Sequence, residues 1–530
     1  MRILRFYLII AAICVIQTYS KTAARTQTSN ILGFFPSGMK SHFMGFKYFL
    51  ETLVNKGHNL TLISFYPLDE AKYPYRHIAL DLKKWNIEPP GGSMLNFAKV
   101  LNLIMTPIQI CWFGPFITEI SLNETVVKNF IANDQTSFDL VIFENFYHEA
   151  FVALGHKYNA PVVQLLPFAA TARVSQWHSN PYNPSYITDV TSSFPSNMTF
   201  VQRTINTVYV FMYTVVNRIT YFPRQEKIMN KYMIYPGHEN RPSLAELLRN
   251  ISLTLINTHP VIGYPFPMVP SYIHVAGMHC KPPKELPEDL KTIMETAEKG
   301  VVYFSLGSVI RSSDMPKDTQ SMLLSELSKI EQIVLWKWEA DDLPQLPKNV
   351  IIRKWFPQND ILGHPKCKLF ITHGGVHSTI EAINYAVPML SIPIFGDQGG
   401  NSLRAEIQGI ALQVPYSSLT HQAFGDALHK LLNNPSYAEN AKKISITFKD
   451  EPLTQLEKAI FWVEYVMRHK GAAHLRTSAN ELYWFQYLLL DIIFVVLSIL
   501  MLLCYTIKKI FVKTCKNCFK RKTTINKKKQ

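Results

Sequence analysis

A short apolar run, Lys368 to Thr372, passes directly into His373-Gly374-Gly375 and then into the helical spacing of Ser378 to Tyr385, with Ile380, Ile383 and Asn384 on neighbouring turns. No other stretch limits the fold of this chain as closely. The run predicts a buried strand, the glycines a turn with little side-chain bulk, and the spacing a helix. That order puts backbone N–H groups and a helix N-terminus at the carboxyl end of a sheet strand. An α/β sheet holds anions such as phosphate at that place.

Alternating elements lie on either side of this unit. Asn30 to Pro36 is β-rich, Ser37 to Ser41 is a glycine-containing loop, and Phe43 to Lys56 spaces Phe46, Phe49, Leu50 and Leu53 as a helix that Gly57 ends. Leu60 to Tyr66, Phe138 to Phe143, Pro161 to Pro167, Ser252 to Asn257 and His274-Val275 read as further strands. Leu95 to Thr118, Phe151 to Tyr158 and Thr204 to Lys231 read as helices. Ser175 to Met198 is a loop rich in Pro, Asn, Ser and aromatics, either substrate-shaping or simply solvated. No GxGxxG fingerprint follows the first strand, so no dinucleotide is implied.

Lys281-Pro-Pro-Lys-Glu-Leu-Pro marks a linker, and a second series begins after it. Its strands are Gly300 to Leu306, Gln332 to Trp338, Val350 to Lys354, the run at 368–372, Pro388 to Pro393 and Ile410 to Val414. Its helices are Met315 to Ile330, Gly400 to Gln408 and His421 to Leu432. The fold class is therefore α/β, with two doubly wound, Rossmann-like domains facing a cleft. The boundaries fall at 23–280 for the N-terminal domain, 281–287 for the linker and 288–445 for the C-terminal domain. Helices in 446–487, including amphipathic Leu453 to His469, pack back on the body.

Both ends carry membrane signals. Arg2 and Arg5 precede the apolar Phe6 to Ile16, and small and polar residues follow around Ser20 to Ala24, the layout of a secretory signal peptide over 1–22. Leu488 to Ile507 has Asp491 as its sole charge and is long enough to cross a hydrocarbon core of ~30 Å as a transmembrane helix. Tyr483, Trp484 and Tyr487 stand where an aromatic belt belongs. The net charge of +15 is misleading about partners, because ten basic residues and no acid follow from Lys508 on, leaving 44 basic against 39 acidic residues elsewhere. A mildly basic body excludes nucleic acid as the partner, and the tail 508–530 reads as cytoplasmic under the positive-inside rule. The body is then lumenal, on a single-pass type I anchor. The closing Lys527-Lys528-Lys529-Gln530 resembles a dilysine retrieval signal of the endoplasmic reticulum membrane.

Of seven cysteines, Cys111, Cys280 and Cys367 alone fall in the lumenal body, too few and too odd for a disulfide framework. Cys515-x-x-Cys518 has no second pair and is no zinc site. Asn123, Asn197 and Asn250 head glycosylation sequons; so does Asn59, the least suited because it enters a strand.

The site chemistry starts from an absence: the chain has no Asp-x-Asp, the motif with which many sugar-transferring enzymes hold a metal on a diphosphate. Countercharge then falls to the helix N-terminus, about half a unit charge, and to donors at His373, Gly374, Gly375, His377 and Ser378. Trp355 offers a flat face to a base, and Gln358 an amide to a base or ribose edge. Glu381 follows Ser378 by one helical turn and can accept from ribose hydroxyls. Asp397 and Gln398 follow a strand end and can grip vicinal sugar hydroxyls. Singly, Trp355 reads as core, His373 as a turn histidine and Asp397 as a helix N-cap. Together they describe a site for a nucleotide sugar.

The ordered set Trp355-x-x-Gln358, His373-Gly-Gly-x-x-Ser378 and Asp397-Gln398 resembles the signature of the UDP-glycosyltransferases. The likeness runs the full length, and Phe448-Lys-Asp-Glu-Pro-Leu and Arg468-His-Lys-Gly-Ala-Ala-His-Leu-Arg look like insect members. It implies a GT-B-type fold with the acceptor in the N-terminal domain and the UDP-sugar in the C-terminal domain. It further implies metal-independent inversion at the anomeric carbon, with no cofactor beyond the co-substrate. The general base it points to is His42, in Lys40-Ser41-His42-Phe43 after the first strand, where imidazole suits removal of a hydroxyl proton. The orienting acid, aspartate in many relatives, is Glu144 here, one methylene longer; Asp139 begins its strand at the wrong end. Ser308, in Gly307-Ser308, is expected on the diphosphate.

The implied activity is hexose transfer, with glucose as the sugar, from a UDP-sugar to a hydroxyl of a small lipophilic acceptor, as in detoxification. Glucuronosyl transfer, a non-catalytic binder of nucleotide sugars or lipophiles, and an inverting hydrolase are the alternatives; the last needs a second cleft acid, which is not evident. A homo-oligomer is compatible with the sequence.

Overall fold

The computed structural model describes residues 28–85, 93–98, 106–169, 171–341, 343 and 345–527. The expected signal peptide and the end of the dilysine motif lie outside them, as does 99–105 within the expected helix Leu95 to Thr118. Residues 1–476 and 477–530 are separate compact units.

The first unit contains two parallel sheets. One has the order β3-β2-β1-β4-β5-β6-β7, from β1 (Asn30–Phe35), β2 (Asn59–Ser64), β3 (Arg76–Ala79), β4 (Leu140–Glu144), β5 (Val162–Leu166), β6 (Leu253–Ile256) and β7 (Tyr272–His274). The other has the order β10-β9-β8-β11-β12-β13, from β8 (Val301–Ser305), β9 (Ile333–Lys337), β10 (Val350–Arg353), β11 (Cys367–Thr372), β12 (Met389–Ser391) and β13 (Ala411–Gln413). The principal helices are α1 (Lys40–Asn55), α2 (Thr106–Asn123), α3 (Phe200–Val216), α4 (Phe222–Tyr232), α5 (Glu288–Thr296), α6 (Lys317–Leu327), α7 (Gln358–Leu362), α8 (Val376–Asn384), α9 (Gln398–Ile407), α10 (His421–Asn433), α11 (Ser436–Lys449) and α12 (Gln455–Arg468).

Helices on both faces explain the strand sequences. In β1, Leu32 and Phe34 enter one buried cluster while Ile31 and Phe35 enter the other. In β11, Leu369 and Ile371 divide from Phe370 in the same way. A strand buried on both faces must be apolar at nearly every position. In each sheet the chain reverses its direction of growth between the first strand and its later neighbour, β1 beside β4 and β8 beside β11. Those two switch points are where a doubly wound sheet opens a crevice for ligand.

The last helix of this unit crosses back. A capping box between Thr454 and Glu457 starts α12. Its Ala459, Ile460, Val463 and Val466 complete the cluster formed by Phe49, Leu50 and Leu53 of α1. Burying the three larger side chains contributes about 5–9 kcal/mol as an upper bound. Lys56 Nζ, 3.0 Å from Glu464, ties the same two helices at the surface.

The second unit holds α13 (Leu490–Lys527), whose segment Leu490–Asn517 is long and apolar enough to cross a membrane. The helix does not stop at Ile507, as the composition suggests, but continues through the basic tail. Cys111, Cys280 and Cys367 are unpaired, as are Cys504 and Cys515. All four sequon asparagines are exposed, and Asn59 does begin β2.

Candidate active site

The two switch points supply the two halves of one site. Strand β1 ends at Phe35, and α1 starts at Lys40, so His42 falls in the first turn of a helix rather than in the preceding loop. The neighbouring β4 ends at Glu144 on the same edge of the sheet. His42 Nδ1 lies 2.6 Å from Glu144 Oε1, with the histidine 5% exposed and the glutamate fully buried. A carboxylate accepts, so Nδ1 donates and Nε2 carries the lone pair. The second oxygen of Glu144 has no hydrogen-bond partner among the described residues, so its charge is directed at His42 alone. Phe146 and Phe168 meet the imidazole edge-on, with centroids at 4.6 and 5.4 Å, and fix the ring plane. The extra methylene of Glu144 is thus no obstacle to a short contact. Asp139 is taken up elsewhere, accepting from the Asn30 N–H at the opposite strand end.

Across the cleft, His373-Gly374-Gly375 joins β11 to α8. Gly374 has φ +79°, and a Cβ there would lie 2.3 Å from Ser402 Oγ and 3.0 Å from the Gln398 carbonyl. Only glycine fits, and its absent side chain leaves the N–H groups of the turn exposed to a ligand. Gly374→Ala is expected to destabilise the chain by about 1–3 kcal/mol and weaken donor binding, read as a lower thermal midpoint and a higher KM for the UDP-sugar.

His373 packs on Gly307 and Gly375. Burial, helped by Lys337, pushes its pKa down to about 4, so it is neutral and can donate one N–H to an anion. Ser378 is buried, and its Oγ accepts from Gln358 Nε2 at 3.2 Å, leaving the hydroxyl hydrogen for a ligand. Gln358, the first residue of α7, also donates to Glu381 Oε2 at 2.6 Å. These three residues, one from α7 and two a turn apart on α8, form one preset cluster. Burial raises Glu381 to about 7 against the pull of Gln358, and His279 Nε2 stands 3.9 Å from its other oxygen. An ionised Glu381 would accept ligand hydroxyls more strongly than the neutral acid does. The KM for the donor is therefore expected to rise as pH falls through about 7 and to lose that step in Glu381→Gln; initial-rate profiles across pH 5.5–8.5 measure it.

His377 takes a different direction from the one expected. Its Nε2 accepts from Asn257 Nδ2 at 3.2 Å and fills the space beside Gly45 of α1. It joins the two halves, and what it retains for an anion is Nδ1. Burial and the neighbouring His279 and His42 keep it neutral.

Asp397 occupies the N-cap position of α9, but its side chain makes no cap bond; Oδ2 accepts from Asn401 Nδ2 at 2.6 Å. Asn401 Nδ2 also donates to the Gly374 carbonyl, and Arg404 donates to Asn401 Oδ1. Gln398 Oε1 accepts from the N–H groups of Ile394 and Phe395, so its NH₂ is the end available to a sugar. Burial raises the Asp397 pKa, partly offset by Asn401. Ser308 is exposed on the turn after β8.

Trp355 is 53% exposed, a surface indole rather than a core residue. Lys40 Nζ stands 4.2 Å from the centre of its ring, a cation–π contact between the halves. Lys40, Phe146, Phe168, Asn257 and His279 escaped the sequence reading. Lys40 alone had a local signal, since it shares a turn with His42.

Comparison with known proteins gives the family and the fold. Residues 96–528 match the family described as "UDP-glucoronosyl and UDP-glucosyl transferase". The chain is 36% identical to the UDP-glycosyltransferase UGT5 of Dactylopius coccus over 496 residues, covering 90% of this chain and 91% of that protein. It is 32% identical to UDP-glucosyltransferase 2 of the same insect over 94% and 95% of the two chains. It is also 32% identical to the human UDP-glucuronosyltransferase 2B7 over 90% and 91%. Among solved structures, the spinosyn forosaminyltransferase SpnP superposes with a TM-score of 0.56 at 17% identity, over 83% of this chain and all of that one. The glycosyltransferase VinC in complex with dTDP gives 0.54 at 17%, with the same coverage. These place the two sheets in the GT-B fold.

Proposed function

The chain belongs to the UDP-glucoronosyl and UDP-glucosyl transferase family and is a UDP-glycosyltransferase, and from that premise we propose that it moves glucose from UDP to a hydroxyl of a small lipophilic acceptor, with inversion and without a metal. The single observation that carries the mechanism is the buried His42–Glu144 pair at the carboxyl edge of the first sheet. His42 Nε2 takes the proton of the acceptor hydroxyl as its oxygen attacks the anomeric carbon. Glu144 holds the ring in the right tautomer and stabilises the imidazolium that forms. The departing diphosphate spreads its charge over the Gly374-Gly375 turn, His373, Ser378 and the start of α8.

Trp355 stacks on the uracil, and Gln358 with Glu381 reads the ribose. Asp397 and the NH₂ of Gln398 take the sugar hydroxyls, with Ser308 on the diphosphate. Metal independence is supported by the missing Asp-x-Asp. Glucose is supported by the insect UDP-glucosyltransferase relative, and glucuronate by the human one. The α13 anchor and its basic tail support a body on the lumenal face of the endoplasmic reticulum membrane.

Incubating the full chain with a phenol and a panel of UDP-sugars tests this. A β-glucoside from UDP-glucose is the expected product. A glucuronide reassigns the donor, no product points to a binding protein, and free glucose points to a hydrolase.

A further inference from the structure

The loop over 175–198 is held in one shape by the polar side of α3. Asn206 Nδ2 donates to the carbonyls of Pro184 and Ile187 at 2.7 and 2.9 Å. Buried Asp189 accepts from both the N–H and the hydroxyl of Thr191, at 3.0 and 2.8 Å, and its carbonyl accepts from the Ser192 N–H. The hydroxyl hydrogen of Thr191 is thereby committed, so Tyr209 of α3 donates to Thr191 Oγ1 across their 3.0 Å contact. An aspartate that ties its own loop in this way replaces the periodic bonds that the segment lacks.

The turn so fixed meets the first turn of α9 from the other side of the cleft. A Cβ on Gly399 would lie 2.4 Å from Ser193 Oγ, and one on Gly400 would lie 2.9 Å from the Ser192 carbonyl and 3.6 Å from that of Val190. Neither glycine has a positive φ, and glycine is a poor helix former. Space, not conformation, therefore explains the pair: it lets a loop of the N-terminal half close on a helix of the C-terminal half. Asp397 and Gln398 directly precede these glycines. His42 is among the groups that offset the burial-driven rise of the Asp397 pKa, so this corner lies within electrostatic reach of that imidazole. Ser193 is exposed, and its Oγ has no hydrogen-bond partner among the described residues.

On the reading above that Asp397 and Gln398 hold the sugar, we propose that the turn 189–193 is the second wall of the donor-sugar pocket and that Ser193 Oγ hydrogen-bonds a hydroxyl of the hexose. The three side chains are complementary. A carboxylate accepts, an amide NH₂ donates, a serine hydroxyl does either, and each hexose hydroxyl needs both kinds of partner. The hexose is then gripped by both halves of the molecule, whereas UDP is held by the second half. Donor choice becomes a property of the closed cleft, and the loop contributes to it without touching the nucleotide.

UDP lacks the hexose, so calorimetric titration of the full chain with UDP and with UDP-glucose isolates the sugar contribution. Ser193→Ala is expected to weaken UDP-glucose by about 3- to 10-fold, the worth of one hydrogen bond, with UDP affinity held within about twofold. Gly399→Ala, whose methyl collides with Ser193 Oγ, should weaken UDP-glucose in the same sense. Adding Ser193→Ala to it removes the collision, so the two effects should not add. Asp397→Ala is the reference variant. An unchanged ratio of the two affinities in Ser193→Ala, with a shifted ratio in Asp397→Ala, overturns the role of the loop alone. An unchanged ratio in both overturns the sugar assignment of Asp397 with it. Equal weakening of UDP and UDP-glucose in Ser193→Ala marks a structural residue and also rejects the proposal.

Discussion

Replacing His42 by alanine is expected to lower kcat by roughly 10²- to 10⁴-fold, the range that a positioned general base supplies. The affinity for UDP should stay within about twofold, since His42 lies on α1 beside the first sheet and, on the proposed reading, UDP binds beside the second. Calorimetric titration of UDP alongside steady-state rates separates the two quantities. Loss of UDP affinity in His42→Ala would overturn the assignment of the proton chemistry to this residue. Glu144→Gln keeps the shape of the partner and removes its charge. A hydrogen bond to a charged group is worth about 1.5–3 kcal/mol, so this change should cost roughly 10- to 100-fold in kcat, again with UDP affinity retained.

The second large effect belongs to the nucleotide. Glu381→Ala removes the carboxylate that receives Gln358 at 2.6 Å and, on the reading above, takes part in holding the ribose. The expected outcome is a 10- to 100-fold rise in the KM for the donor, about 1.5–3 kcal/mol, with kcat changed far less. Trp355→Ala should act in the same sense through lost stacking. Its ring is exposed, so the change leaves the core intact. An unchanged KM with a collapsed kcat would contradict both assignments.

Much of this architecture is written locally in the chain. Strands buried on both faces are nearly continuous apolar runs, and the turn at Gly374 needs glycine for both its φ and its space, so β1, β4, β5, β8 and β11 and the anion turn are visible without tertiary information. Strand β3 is not, because as an edge strand it buries only Ile78, and Arg76-His77-Ile78-Ala79 has no pattern long enough to read. Helices α5 and α11 were missed because charged and polar residues dominate them. For α3 the period was legible but not its sense: its polar side faces inward against a loop that no periodicity foretells. The His42–Glu144 contact follows from strand order, whereas the partners of His377 and Trp355 come from the other half of the molecule. No stretch of sequence encodes its neighbour across a cleft.

The return of α12 to the first half also bears on how such chains can be recombined. A chimera that took acceptor preference from one parent and donor preference from another would naturally be spliced at 281–287. That splice alone pairs α1 of one parent with α12 of the other, and Ile460, Val463 and Val466 would meet a surface shaped for different side chains. Exchange of the N-terminal half therefore has to carry residues 455–475 with it. The N-terminal half and the last helix of the body thus form one cassette in two pieces.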